Sequence, residues 1–253
     1  MDSLPIIYQD DDLIVINKSA GLVVTPAESH SQKTISEILT EDFGIKIDRG
    51  GIVHRLDKDT SGILLAVKTV ESLESLQKQF QDRTVKKRYT ALAHGVVEKE
   101  VIVEGAIGRN PGDREKFIVL EEGKEATTKF EPIQCLALSD ERLVDIFPDF
   151  SKIQYKKLYT NHYTLFTLLH CFPLTGRTHQ IRVHLKHIDH PIVGDEKYGG
   201  RKTLRLDRRW CPRQFLHASY IEFDHPRTGK RVSFESPLPE DLEKALSYLA
   251  DNF

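Results

Sequence analysis

The sequence predicts a mixed α and β chain, and two kinds of hydrophobic pattern indicate this. Residues 6–17 and 62–68 are rich in β-branched apolar residues, which favours strands. Leu73, Leu76 and Phe80 recur at helical spacing, which predicts an amphipathic helix over 70–82. The 253 residues contain no repeats or low-complexity tracts, and their length suits one large domain or two subdomains.

Capping residues and apolar spacing predict three further helices. Residues 34–37 have the spacing of a capping box at the start of a short helix. In a helix over 179–188, Arg182 and Lys186 lie one turn apart, away from the apolar face. Pro239 suits the first position of a last helix. The three apolar faces consist of Ile35, Ile38 and Leu39; of Ile181, Leu185 and Ile188; and of Leu242, Ala245, Leu246 and Leu249.

Several classes of protein are excluded by composition. The sequence contains no run of about 18 apolar residues and no basic N-terminal segment followed by an apolar one, so we expect neither a membrane span nor a secretory signal. The three cysteines, Cys135, Cys171 and Cys211, are odd in number and widely spaced. This pattern indicates the reducing cytoplasm rather than a disulfide framework.

The charge is close to balanced, with a formal net charge of −2 and a pI of about 6.6. Basic residues nevertheless collect at 86–88 and across 201–213, whereas acidic residues collect at 10–12, at 98–104 and near the C-terminus. A local basic face can attract phosphate groups on a nearly neutral protein, because salt screens charges beyond roughly 8–10 Å. Solvated lysines and arginines on loops are the alternative interpretation of each cluster.

The most informative segment is the charged stretch at 54–61, between the Gly50-Gly51 break and the apolar residues 63–67. It contains a histidine, an arginine, two carboxylates and two hydroxyls, with Leu56 between Arg55 and Asp57. Carboxylates at close range raise each other's pKa, so such a cluster is costly to hold together. A solvated turn between two strands is the alternative.

Four stretches, in order along nearly the whole chain, resemble the RluA-type pseudouridine synthases, which isomerise uridine to pseudouridine within RNA. His-Arg-Leu-Asp at 54–57 with Thr-Ser-Gly at 60–62 is similar to the catalytic loop of that family. The other stretches are 7–18 with 20–23, similar to its opening strands; 79–92, similar to its second motif; and 175–184, continuing through 190–195 to Tyr-Gly at 198–199, similar to its third.

This resemblance implies the α+β pseudouridine synthase fold, in which helices flank a central mixed and largely antiparallel sheet and a cleft receives RNA. It also implies a reaction without cofactor or metal, because nothing is oxidised and no group is imported. The target uridine must leave its stack, which costs a few kcal/mol.

The resemblance assigns roles residue by residue. Asp57 is the catalytic aspartate, Tyr89 packs on the base, and Arg182 pairs with the catalytic carboxylate. Arg55 enters the gap left by the flipped base, a role that suits a planar guanidinium. The nearby Asp59 is expected to hold the loop by hydrogen bonds to the backbone. The other residues expected to bind substrate are His54, Lys87, Arg177, His179 and Gln180.

The chain departs from many relatives in two places. The first catalytic strand follows almost directly after Met1, so we expect one catalytic domain over 1–253 without the N-terminal S4 RNA-binding domain. Residues 145–161 look like an insertion, a hairpin or a loop, that mixes aromatic residues with lysines. Such a segment either stacks bases and holds phosphates or forms a poorly packed loop.

Two functions of other classes compete with this interpretation. Four histidines, His179, His184, His187 and His190, fall within twelve residues and suggest a metal-dependent phosphodiesterase. However, His179 and His184 are five residues apart and do not share a helix face, and no H-E-x-x-H pattern occurs. An inactive RNA-binding module is the other competitor, although it has no use for a carboxylate near phosphate.

The substrate is the least determined part of the prediction. Residues 108–117 and 123–128 resemble the branch of the family that modifies large-subunit ribosomal RNA. Members that act on tRNA share the core motifs, so tRNA stays open as the alternative. We expect a cytoplasmic monomer whose partner is RNA and not a membrane.

Overall fold

The computed structural model describes residues 4–26, 33–161 and 163–251. The chain groups into two compact units, a first unit of residues 1–88 and 217–237 and a second of residues 89–216 and 238–253. The expectation of one catalytic domain over 1–253 stays a prediction. The expectation about the S4 domain concerns the start of the chain, where residues 1–3 lie outside the described residues.

Five strands form the sheet of the first unit. The acidic triplet at 10–12 makes the tight turn between the first two strands, because the Asp10 carboxylate accepts the backbone N–H groups of Asp12 and Leu13, both at 2.8 Å. In sheet order the strands are β1 (Ile6–Gln9), β2 (Leu13–Lys18), β3 (Ser61–Val67), β10 (Leu216–Asp224) and β11 (Arg231–Glu235). Neighbouring strands are antiparallel except for the pair β3 and β10.

The helices of the first unit begin where their caps predict. α1 (Ile35–Glu41) follows the capping box, in which Thr34 and Glu37 bond each other's backbone N–H groups. α2 (Val70–Gln81) follows Thr69, whose hydroxyl accepts the Ser72 N–H at 3.1 Å. The core beneath them consists of Leu13, Val15, Ile63, Leu65, Val67, Leu73, Leu76, Val85, Ile221 and Phe223.

The second unit is built on an antiparallel sheet around a long central strand, β8 (Thr127–Leu138). One side of β8 pairs with β9 (Leu165–Pro173), which in turn pairs with β4 (Lys86–His94). β5 (Val101–Glu104) and β12 (Leu249–Asp251) pair with opposite ends of β8. A separate hairpin consists of β6 (Ile107–Asn110) and β7 (Asp113–Val119).

Five helices of the second unit are described. They are α3 (Asp140–Ile146), α4 (Lys152–Thr160), α5 (Gln180–His187), α6 (Arg201–Asp207) and α7 (Glu240–Leu246). The predicted helix at 179–188 is confirmed as α5. The last predicted helix is α7, with Pro239 as its N-cap rather than its first residue.

The expected fold class, α+β with a mixed and largely antiparallel sheet, is confirmed. β3 and β10 are the parallel pair among the strand pairings given above. Within residues 4–26, 33–161 and 163–251, no helix combines the length and the apolar character that crossing a bilayer requires.

The segment at 145–161 is helical, so the expectation of an inserted hairpin or loop is wrong. Ser151 and Gln154 form a capping box that begins α4, a signal that the aromatic and basic composition of the segment obscures. The Tyr155 hydroxyl then donates to the Phe147 carbonyl at 2.6 Å, which ties the helix to the turn before it.

Three of the four aromatic residues of this segment pack against the rest of the unit, whereas Tyr159 is exposed. Phe147 is fully buried, and the Arg209 guanidinium lies 5.2 Å from the Phe147 ring centre and 5.1 Å from that of Phe150. The lysines at 152, 156 and 157 are exposed. Phe147, Phe150 and Tyr155 are therefore held by packing and are not available to stack on bases, whereas the exposed lysines can still contact phosphate.

Gly62 determines how closely β3 and β10 approach. Its φ is 108°, and a Cβ there would lie 2.3 Å from the Ala218 carbonyl oxygen. Gly44, at φ 67°, has no atom within 4 Å of the corresponding position. Both Gly→Ala variants introduce an unfavourable φ, which costs about 1–2 kcal/mol. We expect Gly62→Ala to lose a further 1–3 kcal/mol or so of unfolding free energy through the clash. Urea titration measures both losses, and equal losses would contradict the prediction.

Candidate active site

The charged loop at 52–60 is fixed at several points within the first unit. The Val53 N–H donates to the Leu65 carbonyl at 3.2 Å, and the Thr60 N–H closes a turn on the Asp57 carbonyl at 3.1 Å. Leu56 is 5% exposed and anchors the loop. Consequently its two neighbours point elsewhere, with Arg55 exposed and Asp57 half-buried. The loop is therefore anchored and not a solvated turn.

Lys18 holds the middle of this loop. Its ammonium group is fully buried and donates to three carbonyl oxygens, those of Ser19 and Leu22 at 2.9 Å and that of Lys58 at 2.8 Å. The Gly21 N–H donates to the same Lys58 carbonyl at 2.9 Å. Three acceptors match the three donors of an ammonium group. The residue after Asp57 is therefore held by charge-assisted hydrogen bonds.

The end of the loop is held by a buried histidine. Because the His217 Nε2 lies 3.1 Å from the Ser236 carbonyl, it must donate, so the Nδ1 of neutral His217 accepts the Ser61 hydroxyl at 2.9 Å. Ser236 in turn donates to the Asn17 side chain at 2.9 Å. This chain of hydrogen bonds connects the start of β3 to β2 and to the segment after β11.

His54 and Lys87, both predicted to bind substrate, are brought together on the Phe80 ring. His54 stacks on Phe80 with ring centres 5.1 Å apart, and the Lys87 ammonium lies 5.7 Å from the same ring centre. The Leu65 N–H donates to His54 Nε2 at 3.1 Å, so this nitrogen carries no proton. Burial, with a smaller effect of Lys87, lowers the pKa of His54 to about 3. His54 is therefore neutral and supports the loop, while burial lowers the pKa of Lys87 to about 8.

Tyr89 lies near the start of β4 in the second unit, where it pairs with Cys171 of β9. Its half-buried ring packs against the core of that unit. The structure therefore gives Tyr89 a fixed ring. Asp57 belongs to the other unit, and the expected packing of Tyr89 on the base stays a prediction.

Gln180, predicted to bind substrate, holds a turn instead. Its carbonyl oxygen accepts the Thr175 hydroxyl at 2.6 Å and the Arg177 N–H at 2.9 Å. Its amide group donates to the carbonyl and hydroxyl oxygens of residues 127 and 128, both at 3.0 Å. A side chain amide has two donors and one acceptor oxygen, all used here. We therefore reassign Gln180 to a structural role. Arg177, whose Nε donates to the Glu125 carbonyl at 3.0 Å, is exposed at the same turn.

Arg182 forms a buried, two-pronged ion pair with Asp195. The Nε lies 2.7 Å and the terminal nitrogen Nη2 2.9 Å from the two carboxylate oxygens, and Asp195 is fully buried. Asp195 also accepts the N–H groups of Lys197 and Tyr198, at 2.9 and 3.0 Å. This partner of Arg182 was not expected. The expected pairing of Arg182 with Asp57 stays a prediction.

His179 presents one ring nitrogen to Tyr198. The backbone of His179 has a φ of 55°, which is unusual for a residue other than glycine, and its Nδ1 lies 2.8 Å from the Tyr198 hydroxyl. His179 is half-buried at the N-terminal end of α5. Its place near Arg177 and Arg182 is consistent with the substrate-binding role expected for it.

The histidine cluster does not form a metal site. Both ring nitrogens of buried His184 are engaged, with the Thr128 hydroxyl at 2.9 Å and the Gly105 carbonyl at 3.0 Å, and burial lowers its pKa. The His190 ring bonds a backbone carbonyl at 2.8 Å. In the part of the chain that the structure describes, Asp10, Asp12 and His225 are the group with ligand atoms close together. These side chains already bond one another and Arg227.

Comparison with protein families identifies the family to which this chain belongs. A family described as RNA pseudouridylate synthase matches residues 12–187, which include the anchored loop, Tyr89 and Arg182. The chain belongs to the RNA pseudouridylate synthase family. The resemblance of the four motifs is thereby confirmed.

Individual members of the family are similar over nearly the whole chain. An uncharacterized RNA pseudouridine synthase of Bacillus subtilis, YlyB, is 41% identical and aligns with 98% of this chain and 74% of its own length. The ribosomal large subunit pseudouridine synthase D of Nitrosomonas europaea is 39% identical, with 96% and 64% covered. That of Pseudomonas aeruginosa is 39% identical, with 97% and 72% covered. The chain thus spans about two thirds to three quarters of these relatives.

Two solved human structures of the pseudouridylate synthase family have the same fold. Human RNA pseudouridylate synthase domain containing 1 matches with a TM-score of 0.71 and 26% identity, over 99% of this chain and 89% of that one. Human RNA pseudouridylate synthase domain containing 4 matches with a TM-score of 0.67 and 24% identity, over 97% and 94%, which supports the fold alone.

The motifs of this pseudouridylate synthase chain contain positioning residues that sequence reasoning missed. Lys18 and Tyr198 lie inside the quoted motifs, yet nothing in the sequence indicates the groups that they contact. Asp195, at the end of the quoted stretch 190–195, is a third such residue. Its position directly after a glycine and before the Tyr-Gly pair gave the one available signal, because a short acidic turn often accepts backbone N–H groups.

The neutrality of His54 predicts a pH dependence of stability. The unfolded histidine has a pKa near 6.5 and the folded one about 3, so the unfolded state binds more protons between these values. Stability is therefore fully present above pH 6.5 and decreases as the pH falls, by roughly 2 kcal/mol at pH 5. We expect His54→Gln, which keeps an acceptor for Leu65, to decrease less between pH 7 and pH 5. Urea titrations at both pH values measure this, and identical slopes for the two proteins would contradict it.

The buried pair predicts a large effect of Arg182→Met on stability. Removing the guanidinium leaves the fully buried Asp195 without its counter-charge, which typically costs about 3–5 kcal/mol. The double variant Arg182→Met with Asp195→Leu should recover part of this loss. Arg55→Met is the control, because an exposed arginine should change the unfolding free energy by less than about 0.5 kcal/mol. Equal losses in the two single variants would show that Arg182 is not part of a buried pair.

Proposed function

We propose that this chain is a pseudouridine synthase that isomerises specific uridines of large-subunit ribosomal RNA, acting as a monomer in the cytoplasm. The observation that carries the proposal is the anchored His-Arg-Leu-Asp loop in a chain of this family. Relatives of about 39% identity that are named for the ribosomal large subunit support ribosomal RNA over tRNA.

Asp57 is the catalytic carboxylate of this proposal. The reaction breaks the bond from N1 to C1′, turns the base and joins C5 to C1′, after which the C5 proton leaves and N1 gains one. A carboxylate that lies half-buried on a loop fixed by Lys18 reaches the sugar in a defined orientation. The balance of atoms requires no cofactor or metal.

Arg182 supplies the fixed positive charge of the site. Its guanidinium is oriented by two hydrogen bonds to Asp195, so its orientation does not depend on the substrate. We propose that Asp57 is a further carboxylate partner of this guanidinium when the site is assembled.

Arg55 and Lys87 act on the RNA itself. Arg55 is exposed, as entry into the gap left by a flipped base requires. Lys87 is half-buried, and its lowered pKa reflects an ammonium group that has lost water. A phosphate of the substrate would compensate this loss, so we propose that Lys87 contacts the backbone beside the target uridine. Arg177 and His179 line the same RNA, and the ring of Tyr89 packs on the uracil.

Asp57→Asn should abolish the isomerisation. The change is nearly isosteric but removes the charge, so we expect the single-turnover rate to fall by at least about 100-fold. Tritium release from 5-tritiated uridine in large-subunit ribosomal RNA transcribed in vitro measures the rate. Asp59→Asn, which changes a half-buried carboxylate two residues later, is the control and should lose much less. Wild-type rates in Asp57→Asn would remove Asp57 from the reaction.

The choice between ribosomal RNA and tRNA is tested in cells. Pseudouridines are mapped across all RNA in cells with and without the gene, and with the gene carrying Asp57→Asn. Loss of a position in the large-subunit RNA, restored by wild type and not by the variant, is the expected result. Loss of a tRNA position alone would overturn the substrate assignment while leaving the reaction intact.

A further inference from the structure

We propose that Tyr198 is a positioning residue that ties the β6–β7 hairpin to Arg182 and His179. The inference rests on the proposed function, because it assigns Arg182 a part in the isomerisation. It concerns contacts within the second unit alone. Three groups on Tyr198 make these contacts: its hydroxyl, its ring and its backbone N–H.

The hydroxyl of Tyr198 joins the hairpin to His179. The Phe117 N–H donates to the hydroxyl oxygen over 3.1 Å, so this oxygen is an acceptor there. We assign the hydroxyl proton to the contact with His179 Nδ1, 2.8 Å away. In the neutral imidazole, Nδ1 is thus the acceptor, and the proton resides on Nε2. One hydroxyl therefore sets the tautomer of His179 and the position of the hairpin backbone.

The ring and the backbone of Tyr198 act on Arg182. The centre of the Arg182 guanidinium lies 5.1 Å from the Tyr198 ring centre, within the range of a cation–π contact. The Tyr198 N–H donates at 3.0 Å to the same Asp195 carboxylate that holds Arg182. The guanidinium is therefore fixed in its plane by Asp195 and on its face by Tyr198.

The β6–β7 hairpin carries two exposed arginines beside this connection. Arg109 and Arg114 are exposed on it, and the Arg109 guanidinium lies 5.5 Å from the Phe117 ring centre while it bonds the Arg114 carbonyl at 2.9 Å. The Phe117 ring meets His179 edge-on, 5.7 Å between ring centres. Phe117, whose N–H donates to the Tyr198 hydroxyl, therefore also contacts Arg109 and His179 through its ring.

His179 is the strained element of this connection. Its left-handed backbone conformation at φ 55° costs free energy in a residue with a Cβ and is maintained by its surroundings. Packing of Phe117 and the hydrogen bond from Tyr198 are two of the contacts that maintain it. Loss of the hydroxyl should therefore loosen the start of α5, three residues before Arg182.

Tyr198→Phe tests the proposal, with Tyr155→Phe as a matched control. Both changes remove one hydroxyl from a tyrosine of the second unit, and the Tyr155 hydroxyl bonds the Phe147 carbonyl, a contact outside α5 and the hairpin. We expect Tyr198→Phe to reduce the single-turnover rate of tritium release from in vitro transcribed large-subunit RNA by about 10- to 100-fold, as for a reacting group displaced by about 1 Å. The Kd for the same RNA should change by less than about threefold, and Tyr155→Phe should leave both values unchanged.

A readout without substrate separates this inference from the proposed function. The ¹⁵N shifts of His179 distinguish a ring with its proton on Nε2 from a mixture of tautomers, and amide exchange at Phe117 reports the hairpin. Wild type should show the His179 proton on Nε2 and slow exchange of the Phe117 amide. Tyr198→Phe should show a mixture of His179 tautomers and faster exchange of that amide.

The outcomes are distinct. No tritium release by wild-type protein from ribosomal or transfer RNA would reject the proposed function, while the His179 and Phe117 signals would still decide whether Tyr198 makes the connection. Mixed tautomers already in the wild type would overturn the connection itself. A wild-type rate in Tyr198→Phe, or an equal loss in Tyr155→Phe, would overturn the positioning role.

Discussion

The second unit is organised around α5 by the buried ion pair of Arg182 with Asp195. A fully buried carboxylate is expensive, because the desolvation of two charges exceeds their attraction unless other donors complete the site. Asp195 has those donors in two N–H groups of its own turn. The carboxylate organises the turn through these two N–H groups, and Arg182 supplies its counter-charge. The Arg182 guanidinium is thus part of the core, and its orientation is as rigid as the packing around it.

In the first unit, a buried cation, Lys18, fixes the position of the charged loop. The Lys18 ammonium, fully buried, donates to three backbone carbonyls, so it requires a particular path of the chain. One of these carbonyls belongs to Lys58, so the buried charge fixes the backbone directly after the proposed catalytic carboxylate, Asp57. Preorganisation requires such a fixed backbone, because the reacting group then needs no rearrangement when the substrate arrives.

Local patterns predicted four helices and two strand segments, and long-range partners explain part of what they missed. The capping box at Thr34 and the spacing of Leu73 and Leu76 are complete within a few residues, so α1 and α2 followed from the sequence. Ser151 and Gln154 carry an equally local signal, which the aromatic composition around them masked. The contacts of Gln180 were missed for another reason. Its partners at 127 and 128 lie some fifty positions away, and no spacing rule reaches them.

Charge counting shows the same limit for the basic clusters. In the cluster at 201–213, Arg209 pairs with Asp149 and packs on two phenylalanines, and buried Arg213 pairs with Asp241, so these cations belong to the fold and not to an RNA surface. At 86–88, Lys86 pairs with Glu222 and Arg88 with Glu235, whereas Lys87 has no acidic partner among the described residues. Salt screens distant charges, so the attraction of RNA depends on the cations near it that lack an acidic partner and not on the net charge of the protein. Lys87 is such a cation, and it shares the Phe80 ring with His54 of the charged loop. A net charge of −2 is therefore compatible with RNA binding.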